Sequence, residues 1–348
     1  MRAITVIPGQ ANSAALTDMP EPDPSEGSIL VQALSLGICG TDAEIVAGEY
    51  GWLPVGQERL ILGHESFGRV LEVPANCPVK VGDLVVGIVR RPDAVPCAAC
   101  GANEWDMCLN GEYTERGIKQ RHGFGSERFR IEPDFVIKID ESLKEVGVLL
   151  EPTTVLAKAW EHIEKIGARA FWQPKTVLIT GAGPIGLLGA LMGKQRGLDV
   201  HVLDRVADGL KPQLVKELGA IYHTGAIKDI GFAPDVIIEC TGVPQLIVDG
   251  ANALASSGIM CLAGVSPADR HVDLDLGSLN RKMVLQNEVI FGSVNANRRH
   301  FQLGVEALLK ADKEWLKKLI SRREPVENWQ AALQRQPDDI KVVIDFAT

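Results

Sequence analysis

No apolar stretch of the sequence approaches the roughly 20 residues needed to cross a bilayer. The opening residues, Met1-Arg2-Ala3-Ile4-Thr5-Val6-Ile7-Pro8, carry no signal-peptide pattern, so the expectation is a soluble, cytoplasmic protein with no membrane partner. Positive charge is in deficit. The chain has 36 Lys and Arg against 45 Asp and Glu, with the signs interspersed, which argues against a nucleic-acid or anionic-membrane surface. An even cysteine framework is also lacking: there are seven cysteines, and Cys97, Cys100 and Cys108 crowd together. In a reducing compartment that crowding suggests metal ligation rather than disulfides. Repeats, low-complexity tracts and heptads are absent, which leaves a globular chain whose domains are joined by ordered structure.

At 348 residues the chain exceeds what one core usually serves, and two domains are expected. Up to about residue 129, short alternating or apolar runs at 28–34, 65–73, 84–89 and 126–131 are separated by Gly, Pro and Asp and read as a β-rich domain. From about Thr154 the rhythm becomes strand, helix, strand: strands at 177–180, 200–203, 236–239, 259–263 and 289–292, with helices at 184–196 and 210–218. That count suits a doubly wound sheet. Amphipathic helices are expected at 300–309 and 326–333. A last strand at 340–345 carries nothing in its own pattern to say which sheet it joins.

Gly181-Ala182-Gly183-Pro184-Ile185-Gly186 follows the apolar run at 176–180 and opens a helix. In such a βαβ unit the first glycine makes a tight turn, the second admits a pyrophosphate, and the third packs helix on strand, while the helix N-terminus favours the anion. Asp204, at the end of the next strand, stands where a ribose 2'-hydroxyl is read, which predicts NAD with NADP use allowed. Arg205 beside it has three readings: stacking on adenine, pairing with a 2'-phosphate, or a solvated strand-end side chain.

Zinc accepts thiolate, imidazole and carboxylate, and a catalytic zinc keeps one position open. Cys39 in a glycine-flanked loop, His64 in Gly63-His64-Glu65, and Glu151 supply three ligands. None would persuade alone; the set does. A thiolate with both Glu65 and Glu151 would over-neutralise a dication, so Glu151 is expected as ligand and Glu65 as a mobile carboxylate that exchanges with water or substrate, or acts as a base.

Gly37-Ile38-Cys39-Gly40-Thr41-Asp42, Gly63-His64-Glu65, Val81-Gly82-Asp83-Leu84-Val85-Val86, Glu151-Pro152 and the Gly181 to Gly186 loop resemble the zinc-containing medium-chain dehydrogenase/reductase superfamily over essentially the whole chain. Arg90-Arg91-Pro92, the segment from Gly111 to Ile118, and Gly292-Ser293-Val294-Asn295-Ala296 resemble, within it, the glucose 1-dehydrogenases of archaea and some bacteria. The resemblance implies an α/β protein: a GroES-like β-rich catalytic domain (1–153 and 296–348, the last strand included) plus a doubly wound parallel-sheet (Rossmann) coenzyme domain (154–295). It implies NAD or NADP at Gly181, Gly183, Pro184, Ile185, Gly186, Asp204, Arg205, Thr241, Val294 and Asn295. Zinc is implied at Cys39, His64, Glu65 and Glu151, and a sugar at Glu115, Glu151 and Asn295. Thr41, two residues after Cys39, is the expected proton relay. Cys97, Cys100 and Cys108 match three of four ligands of a structural zinc lobe, whose first position falls on Ala94; Asp93, Glu104 or Asp106 as substitute, a metal-free lobe and merely packed thiols all remain open. The implied activity is oxidation of the C1 hydroxyl of an aldose to its lactone by a homodimer or homotetramer. The alternatives are a polyol or threonine dehydrogenase and a non-enzymatic coenzyme-binding protein.

Overall fold

Alternation buries Ile29, Val31 and Ala33 on one face of β1 (Ile29–Ile38). The strand outruns the sequence pattern, which ends at Leu34, because its second half is hydrogen-bonded on both sides by segments distant in sequence. In the computed structural model, which describes residues 1–266 and 270–346, β1 leads through Cys39 into the short helix α1 (Gly40–Val46). β2 (Glu65–Glu72) and β3 (Leu84–Gly87) follow. A separate small sheet places β4 (Thr114–Arg116) between Arg90–Arg91 and Gln120–Arg121. β5 (Arg128–Ile131) pairs with β1, and β6 (Val136–Ile139) with β3.

The chain then enters α2 (Leu150–Gly167), which pattern reading had missed; Pro152 in its first turn costs no internal hydrogen bond. A parallel sheet follows, with β7 (Thr176–Thr180), α3 (Pro184–Gln195), β8 (Asp199–Leu203), α4 (Leu210–Glu217), β9 (Ile221–His223), β10 (Val236–Glu239), α5 (Pro244–Ala253), β11 (Ile259–Leu262), α6 (Leu276–Gln286) and β12 (Val289–Gly292). Its order, β9-β8-β7-β10-β11-β12, is the doubly wound one, with the strand order reversing beside β7. The chain returns through α7 (Arg298–Lys310) to β13 (Ile320–Pro325) and β14 (Lys341–Asp345). The expected helix at 326–333 is instead a 3-10 turn (Val326–Asn328) and a short helix (Trp329–Leu333), anchored by buried Val326, Trp329 and Ala332.

β14 settles in the first sheet, antiparallel to β1 with Val342 opposite Ile38, giving the order β6-β3-β2-β1-β14-β13. The chain thus divides into Met1–Glu151 with Asn295–Thr348, and Pro152–Val294. The first unit buries an apolar cluster that includes Ile4, Val31, Leu36, Val85, Phe129 and Ile344; the second buries one that includes Leu178, Ile237 and Met260. Among the described residues no helix is long and apolar enough to cross a membrane.

The first unit also buries charge. Glu132 accepts hydrogen bonds from Arg91 (2.8 Å) and Arg121 (2.9 Å). Burial raises its carboxyl, but Arg91, Arg116 and Arg121 outweigh that and hold it down at about 2. A carboxylate depressed in the folded state stabilises above its unfolded pKa of about 4.5, and that stability is lost as pH falls toward 2. Glu132→Gln should therefore cost roughly 2–3 kcal/mol at pH 7 in urea unfolding, with the gap closing below about pH 4.5. A gap unchanged at pH 3 would contradict this pairing.

Candidate active site

α1 begins at Cys39, whose backbone N–H donates to Asp42 Oδ2 (2.9 Å) in the capping position of the helix. Asp42 is fully buried, and its other oxygen lies 3.6 Å from His64 Nδ1. Neither Asp42 Oδ1 nor His64 Nδ1 has a hydrogen bond. Burial opposes protonation of His64, yet Asp42 and Cys39 raise its pKa well above the ordinary value. With Nδ1 turned to Asp42, an ion at the other ring nitrogen would take the place of its proton, the arrangement in which a carboxylate fixes a metal-binding imidazole. The ligand atoms of Cys39, His64 and Glu65 lie within 4.8 Å of one another. This grouping of thiol, imidazole and carboxylate offers the donor types that a divalent cation such as zinc takes.

The structure corrects the expected mobile Glu65. Its carboxylate is 2% exposed and accepts from Lys341 Nζ at 2.6 and 2.7 Å, while Lys341 also donates to Ile38 O. Gly37 makes room for this pair, since a Cβ there would collide with Glu65 Oε2. The charge problem therefore has a different answer: Lys341 cancels Glu65, so a dication held by Cys39 and Glu151 would be balanced by those two alone. Glu151, half-buried in the first turn of α2, has its carboxyl pushed up to about 7 by burial, with His64 opposing and Glu65 adding. A cation at its side would keep it ionised. Thr41 is half-buried in the first turn of α1.

Also in the first unit, Glu115 and Asn295 come together as hydrogen-bonding partners, Asn295 Nδ2 donating to Glu115 Oε1 at 2.7 Å. Arg90, to which the sequence motif gave no site role, donates to the same oxygen (3.0 Å) and lies 3.7 Å over the ring of Tyr113. His122 Nδ1 accepts from the Ile61 amide. The sulfurs of Cys97, Cys100 and Cys108 form a second cluster within 4.8 Å. The amides of Leu109 and Cys100 lower the Cys97 thiol to about 7. The carboxylates considered as a fourth ligand are engaged elsewhere: Asp93 with Val95 N and Asn110, Asp106 with Asn297, and Glu104 with Arg299 at 3.6 Å. As it stands the cluster offers three ligands, one short of a structural zinc set.

In the second unit Gly181 adopts φ +91°, and a Cβ on Gly186 would strike Gly181 O, so both positions require glycine. Gly183 caps α3, with Pro184 and Ile185 in its first turn. Asp204 anchors the loop: Oδ2 accepts from Ala182 N (2.6 Å) and Oδ1 from Val206 N (3.1 Å), with Lys211 at 3.7 Å. Arg205 is exposed. Thr241 gives its amide (2.8 Å) and hydroxyl to Glu239, so it holds the turn after β10. Glu239, fully buried, also accepts from Thr180 and Gly242; an acid closing an apolar strand was the signal for it. Val294 O accepts from the buried Lys158 (3.0 Å).

Residues 25–141 match the alcohol dehydrogenase GroES-like domain, and 144–346 the glucose dehydrogenase C-terminus. The chain is 40% identical to glucose 1-dehydrogenase 1 of Caldivirga maquilingensis over 99% of both chains, and 39% identical to glucose 1-dehydrogenase of Thermoproteus tenax over all of both. It belongs to the glucose 1-dehydrogenase family. Glucose dehydrogenase of Haloferax mediterranei, solved in complex with NADP, Zn and gluconolactone, is similar with TM-score 0.92 and 33% identity over the whole of both chains. In this family member, then, the Cys39, His64 and Glu65 cluster lies in the first unit and the Gly181 to Gly186 turn in the second. Asp42 and Lys341 are what sequence reasoning overlooked. Asp42 was detectable from its spacing to Cys39, which is that of a capping residue; Lys341 gave no local signal.

Proposed function

We propose that the protein oxidises the C1 hydroxyl of D-glucose or a related aldose to the lactone, with NAD or NADP as hydride acceptor and one catalytic zinc per subunit. The observation that carries this is the cluster of half-buried Cys39 with buried His64 and Glu65, together with the orphaned Asp42 and His64 atoms, in a member of this family. Zinc held by Cys39, His64 and Glu151, with Glu65 beside it, supplies Lewis-acid polarisation of the sugar oxygen. Thr41 takes the hydroxyl proton onward, since its own hydroxyl donates and accepts at once. Glu115, Glu151 and Asn295 receive sugar hydroxyls that would otherwise be dry and unpaired. The loop from Gly181 to Gly186 binds the coenzyme pyrophosphate; Thr241, Val294 and Asn295 border the rest of the coenzyme. The protein acts in the cytoplasm as a homodimer or homotetramer; the assembly is favoured by β12, the last strand of its sheet among the described residues, and by the exposed Val284 and Leu285.

A turnover panel of glucose, galactose, xylose, sorbitol and threonine tests the substrate class. Aldoses should lead, and sorbitol or threonine far ahead of every aldose would overturn it. Asp204 tests the coenzyme reading. Lys211 and the exposed Arg205 offset its repulsion of a 2'-phosphate, so both coenzymes should work. Asp204→Asn, which removes the charge and keeps an acceptor, should raise the NADP to NAD ratio of kcat/KM about tenfold. A ratio that does not move would remove Asp204 as the discriminating charge.

A further inference from the structure

Beyond buried Glu115 and half-buried Asn295 runs a series of aromatic rings that oxidation of a monosaccharide leaves unused. Tyr50 and Trp52 pack edge to face with centroids 5.0 Å apart, yet are 41% and 44% exposed. Trp52 is pinned to the hairpin after β4, its N–H donating to Ile118 O and its carbonyl accepting from Gln120 N. Lys119 Nζ lies 5.9 Å from the Trp52 ring and 4.4 Å from that of Tyr113, and donates to Gly111 O. Tyr113 in turn lies under Arg90, which holds Glu115. Contacts thus pass without a break from a buried polar end to an exposed aromatic end, all within one unit.

Two elements tie this surface to the metal-type pocket. α1, which starts at Cys39, leads directly into Tyr50 and Trp52, and Gly117, next to Glu115 and Arg116, packs against the backbone of Gly63, the neighbour of His64. Burial and then the charge of Glu115 raise the Tyr50 hydroxyl pKa, in keeping with their proximity.

We propose that Tyr50, Trp52 and Tyr113, with Lys119, form a second glycosyl subsite, so that the protein also oxidises reducing disaccharides whose terminal unit is glucose. This rests on the reading of Glu115 and Asn295 as the sugar-binding end. A pyranose presents an apolar C–H face bordered by hydroxyls; the exposed Trp52 indole, met edge to face by Tyr50 and flanked by Lys119 and the Tyr hydroxyls, answers both. A phosphorylated sugar is disfavoured because Arg90 and Lys119 are committed to Glu115 and to Gly111 O. The reaction is balanced as for glucose: C1 loses a hydride to NAD(P)+ and its hydroxyl loses a proton, yielding the aldobionolactone and NAD(P)H.

The test compares kcat/KM for glucose, cellobiose and maltose in the wild type, Trp52→Ala and Trp52→Phe, alongside tryptophan fluorescence titration with methyl β-cellobioside and methyl β-glucoside. The wild type should oxidise at least one disaccharide. Trp52→Ala should lower kcat/KM for that disaccharide about tenfold through KM and leave glucose within about twofold, and Trp52→Phe should keep most of the wild-type value. The cellobioside should perturb wild-type fluorescence more than the glucoside, a difference that Trp52→Ala abolishes. Glucose turnover with neither disaccharide oxidised overturns the subsite, as does an equal loss for all sugars. A change of oligomeric state in Trp52→Ala would show that a second copy of the chain covers the platform and would likewise overturn it. Absence of turnover with any sugar would sink the aldose reading, and the fluorescence titration would then decide the subsite independently.

Discussion

Cys39→Ser should abolish turnover while leaving NAD(P)H binding close to wild type. The substitution keeps a small side chain at the start of α1, and serine is itself a good capping residue, so the hydrogen bond from residue 39 to Asp42 survives. What is lost is the thiolate, because a serine hydroxyl does not ionise near neutral pH. Losing an outer partner of a metal ligand typically costs about 10–100-fold in affinity or activity, so losing the ligand itself should cost more than about 100-fold in kcat/KM, together with the catalytic zinc. Zinc content per subunit, steady-state kinetics and coenzyme fluorescence measure the three quantities. Unchanged turnover would refute Cys39 as a ligand; loss of coenzyme binding as well would mean that the fold, not the metal, had failed.

Lys341→Met should be the most destabilising single change in the site. Lys341 and Glu65 are both about 2% exposed, and removing the ammonium leaves an uncompensated buried carboxylate. Breaking one side of a buried pair costs about 3–5 kcal/mol, whereas replacing both partners is often close to neutral. The double variant Lys341→Met, Glu65→Gln should therefore recover much of the loss. Urea unfolding of the metal-free proteins separates the cases. A single variant within about 1 kcal/mol of wild type, or a double variant no better than the single, would mean that this pair does not hold the pocket together. The same experiment bears on mechanism, since a Glu65 freed from Lys341 would add its negative charge to the pocket and weaken the Lewis acidity of a bound zinc.

How much of the site was legible varied with the range of the interaction. The turn from Gly181 to Gly186 was readable because strand, turn, helix and the acid at Asp204 lie within one βαβ unit, and each glycine answers a local steric demand. Cys39 and His64 stood out by chemical type, and the structure brings them together with Glu65. Glu65 was misjudged because the residue that fixes it lies 276 positions away, on a strand whose own pattern names no partner. Asp204 was expected only as a ribose partner, and its bracing of the loop at Ala182 and Val206 was not seen. Tyr50 and Trp52 escaped notice because two aromatics in a turn-rich stretch show no periodicity.

Composition and pattern alone determined a two-part α/β chain with a dinucleotide loop and a set of residues able to hold zinc, because periodicity, turn chemistry and donor type are properties of neighbouring residues. Tertiary structure alone decided that β14 closes beside β1, and with it that Lys341 reaches Glu65. Which strands pair, and in which register, depends on packing and backbone hydrogen bonding across hundreds of residues. The charge state of a buried pocket follows from that pairing.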